Sequence, residues 1–224
     1  MASFDAVLFD LDGTLCRRTQ DTQAMYERAF ERAGEVPFGD PDALWAALDG
    51  PPDHDDIVGY FGAGFARVAA QHGRSDADPL ALGRALEEAI DDRAVELLPG
   101  AGEAVEHAAT NGPIGVVTNG PERGQRTKLD ALGIADAFDV LVYAGDLPRS
   151  KPHAAPFDRA LDAVGVTPER ALYVGNKLAY DVAGAQNAGL AAAWLRGDAE
   201  AGAYNPEYTI GSLTELPDII RGDR

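Results

Sequence analysis

The rhythm of apolar positions along this chain changes twice. Ala6-Val7-Leu8-Phe9 is an apolar run with no polar alternation, the pattern of a strand buried on both faces, as in a parallel sheet. It ends on Asp10 and Asp12, and Gly13-Thr14 turns the chain away. From Cys16 to Leu98 the strand pattern is absent. Ala24, Met25, Ala29 and Phe30 recur at helical spacing and predict a helix over about 20–33. Shorter helices are expected near 42–48 and 55–71, and a longer one from Pro79 to about Leu97, carrying Leu80, Leu82, Leu86 and Ile90. Pro51-Pro52 and the glycine-containing stretch 59–65 punctuate this block.

After Pro99 strands and helices alternate. A helix over 101–110 precedes a strand at 114–117, which ends in Thr118-Asn119-Gly120, and Pro121-Glu122 opens the next helix. A strand at 138–143 leads through Asp146 to Ser150-Lys151-Pro152. A helix over 155–164 and a strand at 171–174 follow, the latter ending at Gly175-Asn176. A helix at about 179–188 and strands near 190–195 and 208–210 complete the set. Strands joined by helices imply right-handed crossovers and a parallel sheet. About six strands and a long helical insertion favour an open sheet over a closed barrel. The expected fold is therefore α/β: an open, Rossmann-like parallel sheet flanked by helices, formed by residues 1–15 and 99–224, with an inserted all-helical domain over 16–98.

In such a sheet, ligands bind beyond the carboxyl ends of the strands. Those ends present Asp10 and Asp12, Thr118 and Asn119, Lys151, and Asn176 with Asp181. Two neighbouring carboxylates repel each other and lose hydration, so a metal or a shared proton is needed to keep them. A carboxylate nucleophile, a second carboxyl as acid/base, and hydroxyl, amide and ammonium donors are the parts of a phosphoryl-transfer site.

Charge narrows the partners. A formal charge of −18 argues against a nucleic-acid backbone or an anionic membrane. No apolar run reaches the roughly 18 residues of a membrane helix, and the N-terminus lacks a signal peptide's regions. The single cysteine, Cys16, excludes an internal disulfide framework, and a cytoplasmic protein is the simplest expectation. The only lysines are Lys128, Lys151 and Lys177, while aspartate and arginine are common. That bias resembles proteins of salt-loving organisms. The expected result is marginal stability in dilute buffer and a melting temperature that climbs with KCl. A melting temperature flat up to molar KCl would remove the idea.

Four segments now stand out in order: FDLDGTL, VVTNG, SKP and VGNKLAYDVAGAQNAG. With them the chain resembles the haloacid dehalogenase-like (HAD) superfamily, in the phosphoglycolate phosphatase-like subgroup whose helical cap follows the first motif. The resemblance implies an aspartyl-phosphate mechanism with Mg²⁺ on a small phosphorylated metabolite, in a monomer or homodimer. It assigns Asp10 as nucleophile and Asp12 as general acid/base. Thr118, Asn119 and Lys151 become phosphate-binding residues, with Lys151 also neutralising the nucleophile. Asp10, the Asp12 backbone carbonyl, Asn176 and Asp181 become the metal site. The helical cap is then expected to close over the crevice and govern substrate choice.

Asn176 departs from the pattern, since family members usually carry an acid there. An amide oxygen supplies no charge, so weaker metal affinity is expected, not loss of the site. Two alternatives follow. A 2-haloacid dehalogenase would use the same aspartate without metal, but that branch lacks the second aspartate, because no leaving alkoxide needs a proton. A non-enzymatic binding protein on the same fold is hinted at only by Asn176.

Overall fold

The computed structural model describes residues 4–48, 52, 54–197 and 200–222. Pro51 lies outside them. The chain divides into two compact units, Thr19–Ala94 and Met1–Arg18 with Val95–Arg224. The boundaries fall inside the expected insertion of 16–98.

Among its described residues, Thr19–Ala94 holds four helices: α1 (Thr22–Ala33), α2 (Pro41–Ala47), α3 (Ile57–Gln71) and α4 (Pro79–Ala89). Asp21, Asp40, Asp56 and Asp78 cap them, each side chain accepting a backbone N–H of the first turn. Part of the aspartate surplus thus has a local structural use. Phe30 is the hub of the core, with the Phe38 ring at 4.9 Å and the Phe65 ring at 5.8 Å. Tyr26 is buried beside them and donates to the Phe38 carbonyl at 2.8 Å.

The expected helix over 79–97 stops early. α4 ends at Ala89 because Ile90 turns extended, and the chain re-enters as a strand at Val95. The alternation Val95-Glu96-Leu97 has period two, and no helical stripe continues past Ile90. The absence of strands from 16 to 98 is corrected accordingly.

The second unit carries all eight strands found among the described residues: β1 (Ala6–Phe9), β2 (Cys16–Arg18), β3 (Val95–Leu97), β4 (Ile114–Thr118), β5 (Val140–Tyr143), β6 (Ala171–Gly175), β7 (Ala191–Leu195) and β8 (Tyr208–Ile210). Its helices are α5 (Ala101–Asn111), α6 (Glu122–Leu132), α7 (Ala155–Val164), α8 (Ala183–Asn187) and α9 (Leu216–Ile220). β2 and β3 form an antiparallel ribbon, fastened by Arg17 Nε donating to Glu96 Oε1 at 2.7 Å. The other six make one parallel sheet in the order β5-β4-β1-β6-β7-β8.

β1 is fully buried because it separates two cores. Val7 and Phe9 face a core that includes Ala101, Val105 and Ile219. Ala6 and Leu8 face the opposite core, with Phe157, Tyr173 and Val182. Burial of each large side chain contributes about 1.5–3 kcal/mol. The chain passes from β1 to β4 and β5 on one side and then crosses back to β6 on the other, so the crevice opens beyond the carboxyl end of β1. That topology places the ends of β5, β4, β1 and β6 side by side.

Candidate active site

Asp10 leaves β1 with its N–H donating to the Val174 carbonyl at 2.9 Å, so the ladder to β6 runs up to the first carboxylate. The chain then folds tightly, the Leu11 carbonyl accepting from Thr14, Leu15 and Cys16. Gly13 makes this possible. Its φ is +81°, and a Cβ there would lie 2.3 Å from Asn176 Nδ2. The tight turn therefore brings the first motif against the fourth.

Lys151 is the centre of the site. Its buried ammonium donates to Asp10 Oδ1 at 2.8 Å, Asp181 Oδ1 at 2.7 Å and the Tyr173 hydroxyl at 2.8 Å. Those three bonds use all its donors. Tyr173 in turn donates to the Val117 carbonyl at 2.8 Å, which fixes its oxygen as an acceptor toward Lys151. The Lys151 backbone is tethered as well. Its N–H donates to Asn119 Oδ1 at 2.8 Å, and Asn119 Nδ2 donates back to the Lys151 carbonyl at 3.0 Å. The Asn119 side chain, expected at phosphate, here holds the loop that carries the lysine.

Charges in this pocket oppose burial. Desolvation raises the Asp10 carboxyl, Lys151 pulls it down and Asp181 pushes it up, leaving it at about 6. Burial would lower the Lys151 pKa, but Asp10 and Asp181 outweigh it and raise it above the ordinary lysine value. Thr14 Oγ1 donates to Asp10 Oδ2 at 3.0 Å.

Asp181 arrives by a different device. The residues after β6 form a π-helical turn, Leu178–Val182, which carries the Asp181 side chain inward. Its Oδ2 accepts the Lys177 N–H at 2.8 Å. Gly175 is required here, because a Cβ would sit 2.4 Å from the Asp181 Cβ. Asn176 lies between them, its carbonyl accepting from Trp194 Nε1 at 3.1 Å. Its Oδ1 is buried without a hydrogen-bond partner.

That orphaned acceptor, on the same unit as two carboxylates that share the Lys151 ammonium, suits a hard divalent cation. Among the described residues, no group of three or more His, Cys, Asp or Glu could hold a metal alone. A cation here therefore needs neutral oxygens such as that of Asn176 beside Asp10 and Asp181.

Asp12 sits apart from Asp10, half-exposed. Lys128 Nζ donates to both its oxygens, at 2.7 and 2.8 Å, and Gln125 Nε2 donates to Oδ2 at 2.7 Å. Burial raises its carboxyl, but the Lys128 charge and these hydrogen bonds outweigh that and hold it below the ordinary value. Gln125 Nε2 also reaches Thr118 Oγ1 at 2.5 Å. Thr118 is therefore joined to Asp12 through one amide.

Of the expected residues, Lys151 is in direct contact with both Asp10 and Asp181, and Asn119 contacts the Lys151 backbone. Thr118 joins Asp12 through Gln125. Lys177 is exposed, and only its backbone reaches Asp181. Cys16 is buried, with desolvation first among the causes that push its thiol up to about 12, so it is inert packing. Gln125, Lys128 and Tyr173 escaped the sequence reading. The scarcity of lysine was the one available signal for Lys128.

The family profile described as haloacid dehalogenase-like hydrolase matches residues 4–189. The chain is 32% identical over 228 residues to the pyrimidine 5'-nucleotidase YjjG of Escherichia coli, covering 97% of this chain and 98% of that protein. It is 32% identical over 240 residues to a phosphoglycolate phosphatase of Cereibacter sphaeroides, covering 96% and 97%. Among solved structures, the HAD-hydrolase YfnB from Bacillus subtilis, bound to magnesium, superposes with a TM-score of 0.75 at 25% identity, covering 98% of this chain and 99% of that one.

Proposed function

Because the chain belongs to the haloacid dehalogenase-like hydrolase family, we propose that it hydrolyses a small phosphomonoester through an aspartyl-phosphate, with Mg²⁺ as its cofactor. One observation carries this reading. Asp10 and Asp181 share the Lys151 ammonium, while Asp12 is held nearby on the same unit in a separate mount. A nucleophile and an independent acid/base are what displacement of an alkoxide needs. Relatives named for a pyrimidine nucleotide and for phosphoglycolate support phosphate chemistry without choosing the alcohol.

In the first half-reaction, an Asp10 oxygen attacks phosphorus in line and the bond to the alcohol oxygen breaks. The proton on Asp12 goes to that oxygen, and the alcohol leaves. In the second, Asp12 takes a proton from water, whose oxygen attacks phosphorus. The bond to Asp10 breaks, releasing inorganic phosphate and restoring both carboxyl groups. The incoming phosphate adds negative charge beside Asp12, which favours the protonated form that the first half needs. Lys151 offsets charge on Asp10 and on the phosphoryl oxygens, and the Thr118 hydroxyl donates to one of them. Asp10, the Asp12 carbonyl, Asn176 and Asp181 would hold Mg²⁺. When bound, it neutralises repulsion between the nucleophile and the phosphate.

The neutral ligand at 176 has a measurable consequence. Asn176→Asp is expected to bind Mg²⁺ about tenfold more tightly, about 1.4 kcal/mol. Without Mg²⁺ it should melt at a lower temperature than wild type, since a third carboxylate joins Asp10 and Asp181. Calorimetric titration and thermal melts read both effects. If the variant needs no less Mg²⁺ than wild type, Asn176 is not a ligand.

The function itself is tested with a panel of phosphomonoesters plus a 2-haloacid, with Mg²⁺ or EDTA, in high KCl. Phosphate release that EDTA stops supports the proposal. Halide release indifferent to EDTA would replace it with the dehalogenase reading.

A further inference from the structure

Two polar side chains on α6 are buried although nothing in helix formation requires it. Gln125 is 3% exposed and Lys128 is 5% exposed, one turn apart on the same face. Burying an ammonium and an amide is costly unless both are bonded. Lys128 Nζ spans both Asp12 oxygens, and Gln125 divides its amide between Asp12 Oδ2 and Thr118 Oγ1.

The geometry at Thr118 is specific. A hydroxyl has one donor and two acceptor sites. Its oxygen accepts from Gln125 at 2.5 Å and from the Gly120 N–H at 3.3 Å. With both acceptor sites filled, its proton can only be directed elsewhere. At Asp12, the same amide and the Lys128 ammonium fix the plane of a carboxylate on a half-exposed loop.

We propose that Gln125 and Lys128 are positioning residues that set two catalytic groups at once: Lys128 orients the Asp12 carboxyl toward the leaving oxygen, and Gln125 turns the Thr118 hydroxyl proton toward the phosphate. This rests on the proposed phosphatase reaction. It goes beyond it in assigning two residues outside the four motifs, and it makes the acid/base and the phosphate-binding hydroxyl parts of one mount.

The test uses leaving-group dependence. p-Nitrophenyl phosphate and phenyl phosphate are similar in shape, but nitrophenolate leaves with far less need of a proton. Their kcat/KM values report the first half-reaction, so their ratio measures how well Asp12 delivers its proton. In Lys128→Met the ratio should rise about tenfold, because only phenyl phosphate depends strongly on the misplaced acid, and this outweighs the easier protonation of Asp12 once the Lys128 charge is gone. Lys128→Arg should return the ratio toward wild type. A purely structural role for Lys128 would lower kcat/KM equally for both esters, and a ratio within threefold of wild type overturns the assignment. Should Lys128→Met fail to fold, Lys128→Gln is read the same way.

Gln125→Leu should raise the inhibition constant for inorganic phosphate about tenfold, and Lys128→Met should leave it near the wild-type value. An unchanged constant in Gln125→Leu removes Gln125 from the mount. Asp10→Asn separates the two levels. If it still hydrolyses both esters, the phosphatase reading fails. If it is inactive while the Lys128 ratio stays at the wild-type value, only this inference fails.

Discussion

Replacing Asp10 with asparagine is expected to reduce phosphate release by on the order of 10⁴-fold or more, while the protein stays folded and melts no lower than wild type at neutral pH. The two halves of that result have one cause. Asp10 is buried, and desolvation is the main reason its carboxyl is pushed up to about 6 from 3.8. A carboxyl whose folded pKa is raised destabilises the fold when it ionises. The cost is therefore present above about pH 6 and disappears as the pH falls toward 4.

Asparagine removes that cost and keeps the contacts. Its Oδ1 can accept from Lys151, and its Nδ2 can face Thr14 Oγ1, whose hydroxyl switches from donor to acceptor. Lys151 retains Asp181 as counter-ion. The melting-temperature difference, variant minus wild type, should be zero or positive at pH 7 and shrink toward pH 4. Turnover near the wild-type rate in a folded Asp10→Asn protein would show that the attacking oxygen comes from elsewhere.

The sequence exposed the strand ends more clearly than the parts that hold them. Ala6–Phe9 reads as a doubly buried strand because every position is apolar, and its C-terminal end therefore marks a crevice. The same logic located Thr118, Asn176 and the loop around Lys151. Helical polar residues carry no such mark. Gln125 and Lys128 look like any solvated pair at i,i+3, and only the packing of α6 shows that they are buried. Tyr173 sits inside a strand and reads as core, yet its hydroxyl supplies the third acceptor of Lys151.

Asn119 shows the opposite difficulty. Its motif directs attention to phosphate, whereas its side chain grips the Lys151 peptide. Backbone tethering leaves no trace in residue type. The early end of α4 has a similar origin, since three residues of a short ribbon were absorbed into a longer helical pattern.

Lys151→Met should have the largest combined effect on stability and activity. Methionine matches the stem in length but deletes the cation that faces Asp10 and Asp181. Breaking a buried ion pair from one side costs about 3–5 kcal/mol, because the remaining charge stays buried without compensation. For a chain of this size that corresponds to a fall in melting temperature of roughly 10 °C. Without the Lys151 charge, the buried Asp10 carboxyl holds its proton to still higher pH than in the unfolded chain. The folded state then binds more protons than the unfolded one, so the variant's stability falls as pH rises and recovers on acidification. Wild type should show a weaker form of this dependence, since Lys151 pulls the Asp10 carboxyl down although burial still leaves it at about 6.

Mg²⁺ supplies a second check. A cation bound to the same carboxylates stabilises the folded state by mass action. The increase in melting temperature on adding MgCl₂ should therefore be larger in Lys151→Met than in wild type. Activity should fall by on the order of 10³-fold and stay low with Mg²⁺ present, because the positive charge proposed to offset the nucleophile and the phosphoryl group is gone. Equal Mg²⁺ shifts in the two proteins would mean that the cation does not bind at Asp10 and Asp181. A variant as stable as wild type at pH 7 would mean that the Lys151 ammonium does not compensate a buried charge on Asp10.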